Sequence, residues 1–96
     1  MSKVQEYLDK VKSEYDKFNE EVKTQSSNIK SSSDRLTFWS WFFKESEKVV
    51  PYLHALPENS AQLSDDEVDE ILTQTKGYHL GMMNNFYHLL DNTLPR

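Results

Sequence analysis

Cysteine is absent from this chain of 96 residues, and glycine and proline are scarce, with two and three copies. Without cysteine, a disulfide framework, a thiol nucleophile and a Cys-containing metal site are excluded. An all-β chain of this length needs far more glycine and proline for its turns, and few segments alternate polar and apolar residues. The predicted fold class is therefore all-α.

Long apolar runs are also missing. Val4, Leu8 and Val11 are separated by charged residues, which argues against a signal peptide. The longest apolar stretch is far shorter than a membrane-spanning helix requires. We expect a soluble, cytoplasmic protein with one helical domain over residues 1–96, because this length allows only a modest core.

The net charge of −5 comes entirely from residues 57–96, where seven acidic residues oppose Lys76 and Arg96. The rest of the chain is balanced. Because lysine and arginine form no cluster, we expect no direct contact with nucleic acid. An acidic surface favours a basic partner.

The first predicted helix covers residues 2–30 and opens with a capping box formed by Ser2 and Gln5. Its heptad spacing is typical of a helix with one buried face, interrupted once by a polar glutamine. The positions on that face are Val4, Leu8, Val11, Tyr15, Phe18, Val22, Gln25 and Ile29.

The second predicted helix covers residues 34–56 and follows a serine-rich loop, short enough to make the two helices an antiparallel hairpin. Pro51 predicts a kink within it, because proline removes a backbone donor and clashes with the preceding turn. Residues 57–63 read as a linker.

The third predicted helix covers residues 64–92 and begins with a capping box of Ser64 and Glu67. Gly77 and Gly81 each cost about 1 kcal/mol relative to alanine inside a helix. Together they indicate either close approach of a neighbouring backbone or a break in the helix. The architecture predicted overall is a three-helix bundle built on the antiparallel hairpin.

Both tryptophans and three of the five phenylalanines lie between Leu36 and Phe43. The apolar residues of helix 2 cover about 220° of its circumference, whereas a surface helix needs about 100°. Helix 2 is therefore either covered on two sides or carries a second apolar face for another molecule. Trp41, at the edge of the arc, is expected to be the most exposed. The predicted partner-binding residues are Phe38, Trp39, Trp41, Phe42, Phe43 and Tyr52.

Two groups of residues, an acidic run and three histidines, could suggest a metal-binding or catalytic site, but their spacing fits neither. The acidic run over residues 65–70 has no glycine turn and none of the alternating ligands of a calcium loop, so a solvated helix start explains it better. His79 and His88 are nine residues apart, on opposite faces of a helix, and His54 lies far from both in sequence. We predict no catalytic residue, no metal site, no cofactor and no enzymatic activity.

The tryptophans after the first helix and the segment from Tyr87 to Asp91 resemble the WXG100-like proteins and helical partners of type VII secretion systems. In that family one residue separates the tryptophan from a glycine, and the terminal motif is Tyr-x-x-x-Asp/Glu. Here Trp39 and Trp41 lack that glycine, and a third helix departs from a plain hairpin. The resemblance implies a secreted or secretion-targeting protein in which Tyr87 and Asp91 form a recognition patch.

The sequence favours a non-enzymatic protein interaction module, such as an assembly subunit, an adaptor or a small inhibitor. Its contact surface would be the aromatic face of helix 2, and self-association as a homodimer is one such contact. An acidic inhibitor of a nucleic-acid-binding enzyme is the further alternative. Binding through the aromatic face is expected to be nearly indifferent to salt, whereas binding through the acidic region should weaken steeply.

Overall fold

The computed structural model describes residues 3–93, which form three α-helices and no strand. The elements are α1 (Lys3–Ser26), α2 (Ser32–Leu53), a 3₁₀ turn (Ser60–Gln62) and α3 (Asp65–Asn92). Tyr7 bonds to Leu53 and the Phe18 ring meets Phe42, so α2 runs antiparallel to α1. The ring of His54, just after α2, lies near that of His79 in α3, and Phe42 of α2 stacks on Phe86 of α3. Helix α3 therefore runs antiparallel to α2. The all-α three-helix bundle predicted from the sequence is confirmed.

The predicted stripe of α1 is buried from Val4 to Val22, but the helix ends at Ser26 and not at residue 30. The early end follows from three hydroxyl groups that bond backbone carbonyls: Thr24 to Glu20, Ser26 to Lys23 and Ser27 to Thr24. Such bonds compete with continued helix. Ser26 takes the last buried position, and Gln25 is exposed. The predicted cap Ser2 lies outside the described residues.

Helix α2 begins two residues before its predicted start, because Ser31 caps it. The Ser31 hydroxyl accepts the Asp34 N–H at 3.1 Å, and the Asp34 carboxylate accepts the Lys30 N–H at 3.0 Å. At the other end, α2 continues past Pro51 and stops at Leu53, not at residue 56. Pro57 keeps Leu56 out of the helix, because a residue before proline avoids the helical conformation.

Helix α3 begins with the predicted capping box. The Ser64 hydroxyl accepts the Glu67 N–H at 3.2 Å, and the Glu67 carboxylate accepts the Ser64 N–H at 3.0 Å. The helix then runs unbroken to Asn92, and a Cβ placed on Gly77 or Gly81 would meet nothing within 4 Å. Both predicted explanations of the glycines, a break and a close backbone approach, are therefore wrong.

The core centres on stacked aromatic rings contributed by all three helices. The rings of Phe42 and Phe86 lie 3.8 Å apart and nearly parallel, with Phe18 and Phe38 against them. Helix α1 packs most closely on α3, whereas α2 and α3 have the least contact of the three pairs. The bundle is elongated, at 53 × 19 × 18 Å. Among the described helices, none combines the length and apolar character needed to cross a lipid bilayer.

Candidate interaction surface

The predicted partner-binding residues of α2 are divided between the core and the surface. Phe38 and Phe42 are buried, and Phe42 is completely inaccessible to solvent. Phe43 is partly buried and meets Phe42 and Phe86 edge to face. A partner could contact Phe38 or Phe42 only if the bundle opened.

Trp41 faces α1 and is only partly exposed, so the prediction that it would be the most exposed aromatic is wrong. Its ring stacks on Phe18 and on Phe38, each with a centroid distance of 6.1 Å. Position on a helical wheel indicates distance from the centre of the apolar arc but not where the neighbouring helices lie. Helix α1 covers the edge of the arc that Trp41 occupies.

Trp39 lies on the opposite side of the arc, beside α3, and is 41% exposed. Its ring is held by Phe43 at 4.7 Å and by Phe86 at 5.7 Å, measured between ring centroids. Leu36, one turn earlier, is also exposed. The wide arc of α2 thus serves both neighbours, and its α3 side is left incompletely covered.

An exposed apolar stripe follows α3 on the side that borders α2. At 100° per residue its members fall within an arc of about 120°. They are Val68, Leu72, Leu80 and Tyr87. The Tyr87 ring lies 5.5 Å from the buried Phe86 ring and the Trp39 ring lies 5.7 Å from it, so these two exposed rings flank Phe86 where α3 borders α2. We call this surface, with Leu36 and Trp39, the α2–α3 groove.

The sequence did not predict the groove as a unit. Leu72 and Leu80 are more than half exposed, yet their spacing along the helix is like that of core residues. Val68 falls at the same angle around the helix as the buried Phe86 at 100° per residue, yet it is exposed. Exposed leucines carry no signal of their own in a sequence, so only the packing of the helices identifies them.

Acidic residues border the end of the groove nearest the start of α3. Asp65 and Asp69 fall within the arc of the apolar stripe at 100° per residue. Asp66 and Glu70 point about 100° or more from the middle of that arc. All four side chains are exposed. The negative charge of this helix start is therefore shared between the groove and the face that carries the glycines.

Tyr52 lies apart from the groove, on the side of α2 next to α1. It is 60% exposed, and the Lys10 ammonium lies 5.8 Å from the centre of its ring. The Tyr7 hydroxyl donates to the Ala55 carbonyl at 3.0 Å nearby. Tyr7 and Tyr52 line an open cleft of about 400 Å³ at this end of the bundle, together with Leu56. The six predicted residues therefore do not form one surface.

A small polar cluster joins the end of α2 to the other two helices. The Tyr15 hydroxyl and His54 Nε2 are 2.6 Å apart, and the His79 ring lies 6.0 Å from that of His54. Burial raises the pKa of Tyr15 to about 12. Burial, and then the charge of His79, lower the pKa of His54. The cluster therefore favours a neutral imidazole at His54.

Residues 3–93 contain no group of three or more His, Asp or Glu side chains placed to hold a metal ion. A scan against protein-family models, a search of curated proteins and a search of solved structures each return no match for this chain.

Proposed function

We propose that this protein is a non-enzymatic interaction module that binds another protein through the α2–α3 groove. The observation that carries the proposal is the exposed edge of Trp39, a large side chain fixed in place by Phe43 and Phe86. Tryptophan and tyrosine supply much of the binding energy at protein interfaces. An anchor that is already immobilised loses little side-chain entropy when a partner binds.

The arrangement of the exposed apolar residues supports this proposal. Exposed leucines occur singly on most proteins and need no explanation. Here Trp39 on α2 and Tyr87 on α3 are both exposed and both lie against Phe86, so exposed aromatic side chains of two helices meet at one boundary. A contiguous apolar surface with polar edges is typical of a site for a protein partner.

A photo-crosslinking experiment tests the proposal. Benzoyl-phenylalanine is placed at position 39 in one variant and at position 52 in another, since both positions are aromatic and exposed on α2. In the cells that make the protein, we expect a protein adduct from position 39 that is absent from position 52. Tyr87→Ala should weaken that adduct. Equal labelling from both positions, or none from position 39, contradicts the proposal; an adduct of twice the chain mass identifies a second copy as the partner.

A second candidate is the secretion-targeting function implied by the resemblance to WXG100-like proteins. The observation that favours it is the position of Tyr87 and Asp91, both exposed and one turn apart near the end of α3. If they form a recognition patch, Asp91→Asn should reduce export of the chain into the culture medium without changing its melting temperature. Unchanged export removes this candidate.

A further inference from the structure

We infer that the partner of the α2–α3 groove is an amphipathic helix whose polar flank is basic. This inference rests on the proposed function and names the chemistry of the partner. It joins two surfaces that the sequence presents as alternatives, the aromatic face of α2 and the acidic start of α3. Trp39, the exposed edge of the first, and Asp65 and Asp69 of the second lie on the side of the bundle where α2 borders α3.

The dimensions of the groove fit a helix. From Val68 to Tyr87 the stripe is about 28 Å long at 1.5 Å per residue, which matches a partner helix of about 19 residues. Because α2 and α3 have the least contact of the three helix pairs, a fourth helix laid along the boundary between them would complete a four-helix bundle. Apolar residues of that helix at spacings of three and four would meet Leu72, Leu80 and Trp39.

The charge of the groove selects the polar flank of the partner. Asp65 and Asp69 lie on the groove side of α3 and are exposed, so a lysine or arginine beside them gains an opposite charge. Lys76 is also exposed and lies in the same arc about two turns further along, so the basic residues of the partner belong at the end that meets the start of α3. An acidic helix would be repelled there. A second copy of this chain is a poorer occupant, since the net charge of −5 repels another copy and the apolar stripe of α1 is already buried.

Three synthetic peptides of 19 residues test the inference. All carry leucine at the same spacings of three and four, and their flanking polar positions are all lysine, all glutamine or all glutamate. Binding is followed through the fluorescence of Trp39 in a Trp41→Phe variant, which removes the second indole. At low salt the lysine peptide should bind about tenfold tighter than the glutamine peptide, and the difference should shrink as salt rises.

Variants of the protein locate the effect. Asp65→Asn with Asp69→Asn should weaken binding of the lysine peptide about fivefold. Asp66→Asn with Glu70→Gln removes the same charge from the other face of α3 and should change binding less than twofold. Because these variants keep Trp39, they are read by the same signal, and circular dichroism establishes that each is folded. Equal effects of the two pairs overturn the assignment of the charge to the groove.

Two further outcomes separate this inference from the proposed function. Leu72→Ala should weaken all three peptides, whereas Leu56→Ala, an exposed leucine outside the groove, should not. If none of the peptides binds, or the glutamate peptide binds as tightly as the lysine peptide, the basic helix is wrong. The interaction module still stands in that case if position 39 forms a protein adduct in cells.

Discussion

Removing one ring of the Phe42–Phe86 stack should destabilise the protein by a large share of its total stability. Both side chains are fully buried and their rings lie 3.8 Å apart. A buried Phe→Ala substitution costs about 3–5 kcal/mol, and a domain of this size is stable by about 5–14 kcal/mol. Either single substitution should therefore remove between about a fifth and all of the folding free energy.

A double-mutant cycle in urea tests this reasoning. Phe42→Ala and Phe86→Ala together should cost about 1–2 kcal/mol less than the sum of the two, because the second substitution enlarges a cavity whose wall has already lost its partner ring. Tyr52→Ala, exposed on the same helix, should cost below about 1 kcal/mol. If Phe42→Ala does not fold, Phe42→Leu should cost about 1.5 kcal/mol and still bind the partner. A cost for Phe42→Ala as small as that for Tyr52→Ala would refute the placement of Phe42 in the core.

Three other perturbations have defined outcomes. Gly77→Ala and Gly81→Ala should each increase the free energy of unfolding by about 0.5–1 kcal/mol, seen as a higher urea midpoint. Alanine favours the helix more than glycine does, and the added methyl group meets open space. A loss of stability would contradict the exposed placement of these glycines. Ser64→Ala should cost about 1 kcal/mol through the lost cap, whereas Ser40→Ala, exposed within α2, should cost less than about 0.5 kcal/mol. Because the pKa of His54 is lowered in the folded protein, the imidazole binds a proton more readily in the unfolded chain. The stability that the protein has with a neutral His54 is therefore fully present above about pH 6.5 and is lost as the pH falls through the lowered pKa. The decrease in the urea midpoint from pH 7.5 to pH 5 should therefore be smaller in His54→Gln than in the unchanged protein. An equal decrease in both would contradict the role of His54.

The features predictable from the sequence are those fixed by neighbouring residues. The stripe of α1 follows from its heptad spacing, and the start of α3 follows from the reciprocal bonds of Ser64 and Glu67. Even there, the end of α1 at Ser26 depended on which hydroxyl groups turn back to the backbone. Local patterns identify the helices more reliably than the positions at which they end.

The division of the aromatic residues was not predictable, because it depends on how the helices are placed around one another. Trp39 and Trp41 are two residues apart, on opposite sides of one apolar arc. The side that α1 covers was decided by packing, and nothing in the sequence distinguishes the two edges. The same holds for Leu72 and Leu80, whose exposure follows from the limited contact between α2 and α3.

The ring stack has a consequence for how the chain folds during its synthesis. Phe38 and Phe42 leave the ribosome more than forty residues before Phe86, which completes the aromatic cluster that shields them. A hairpin of α1 and α2 alone therefore leaves its most apolar surface exposed, because much of the apolar stripe of α1 packs against α3 in the complete bundle. Until α3 has been synthesised, we therefore expect the growing chain to expose these aromatic side chains, and transiently exposed hydrophobic surface of this kind is prone to aggregation.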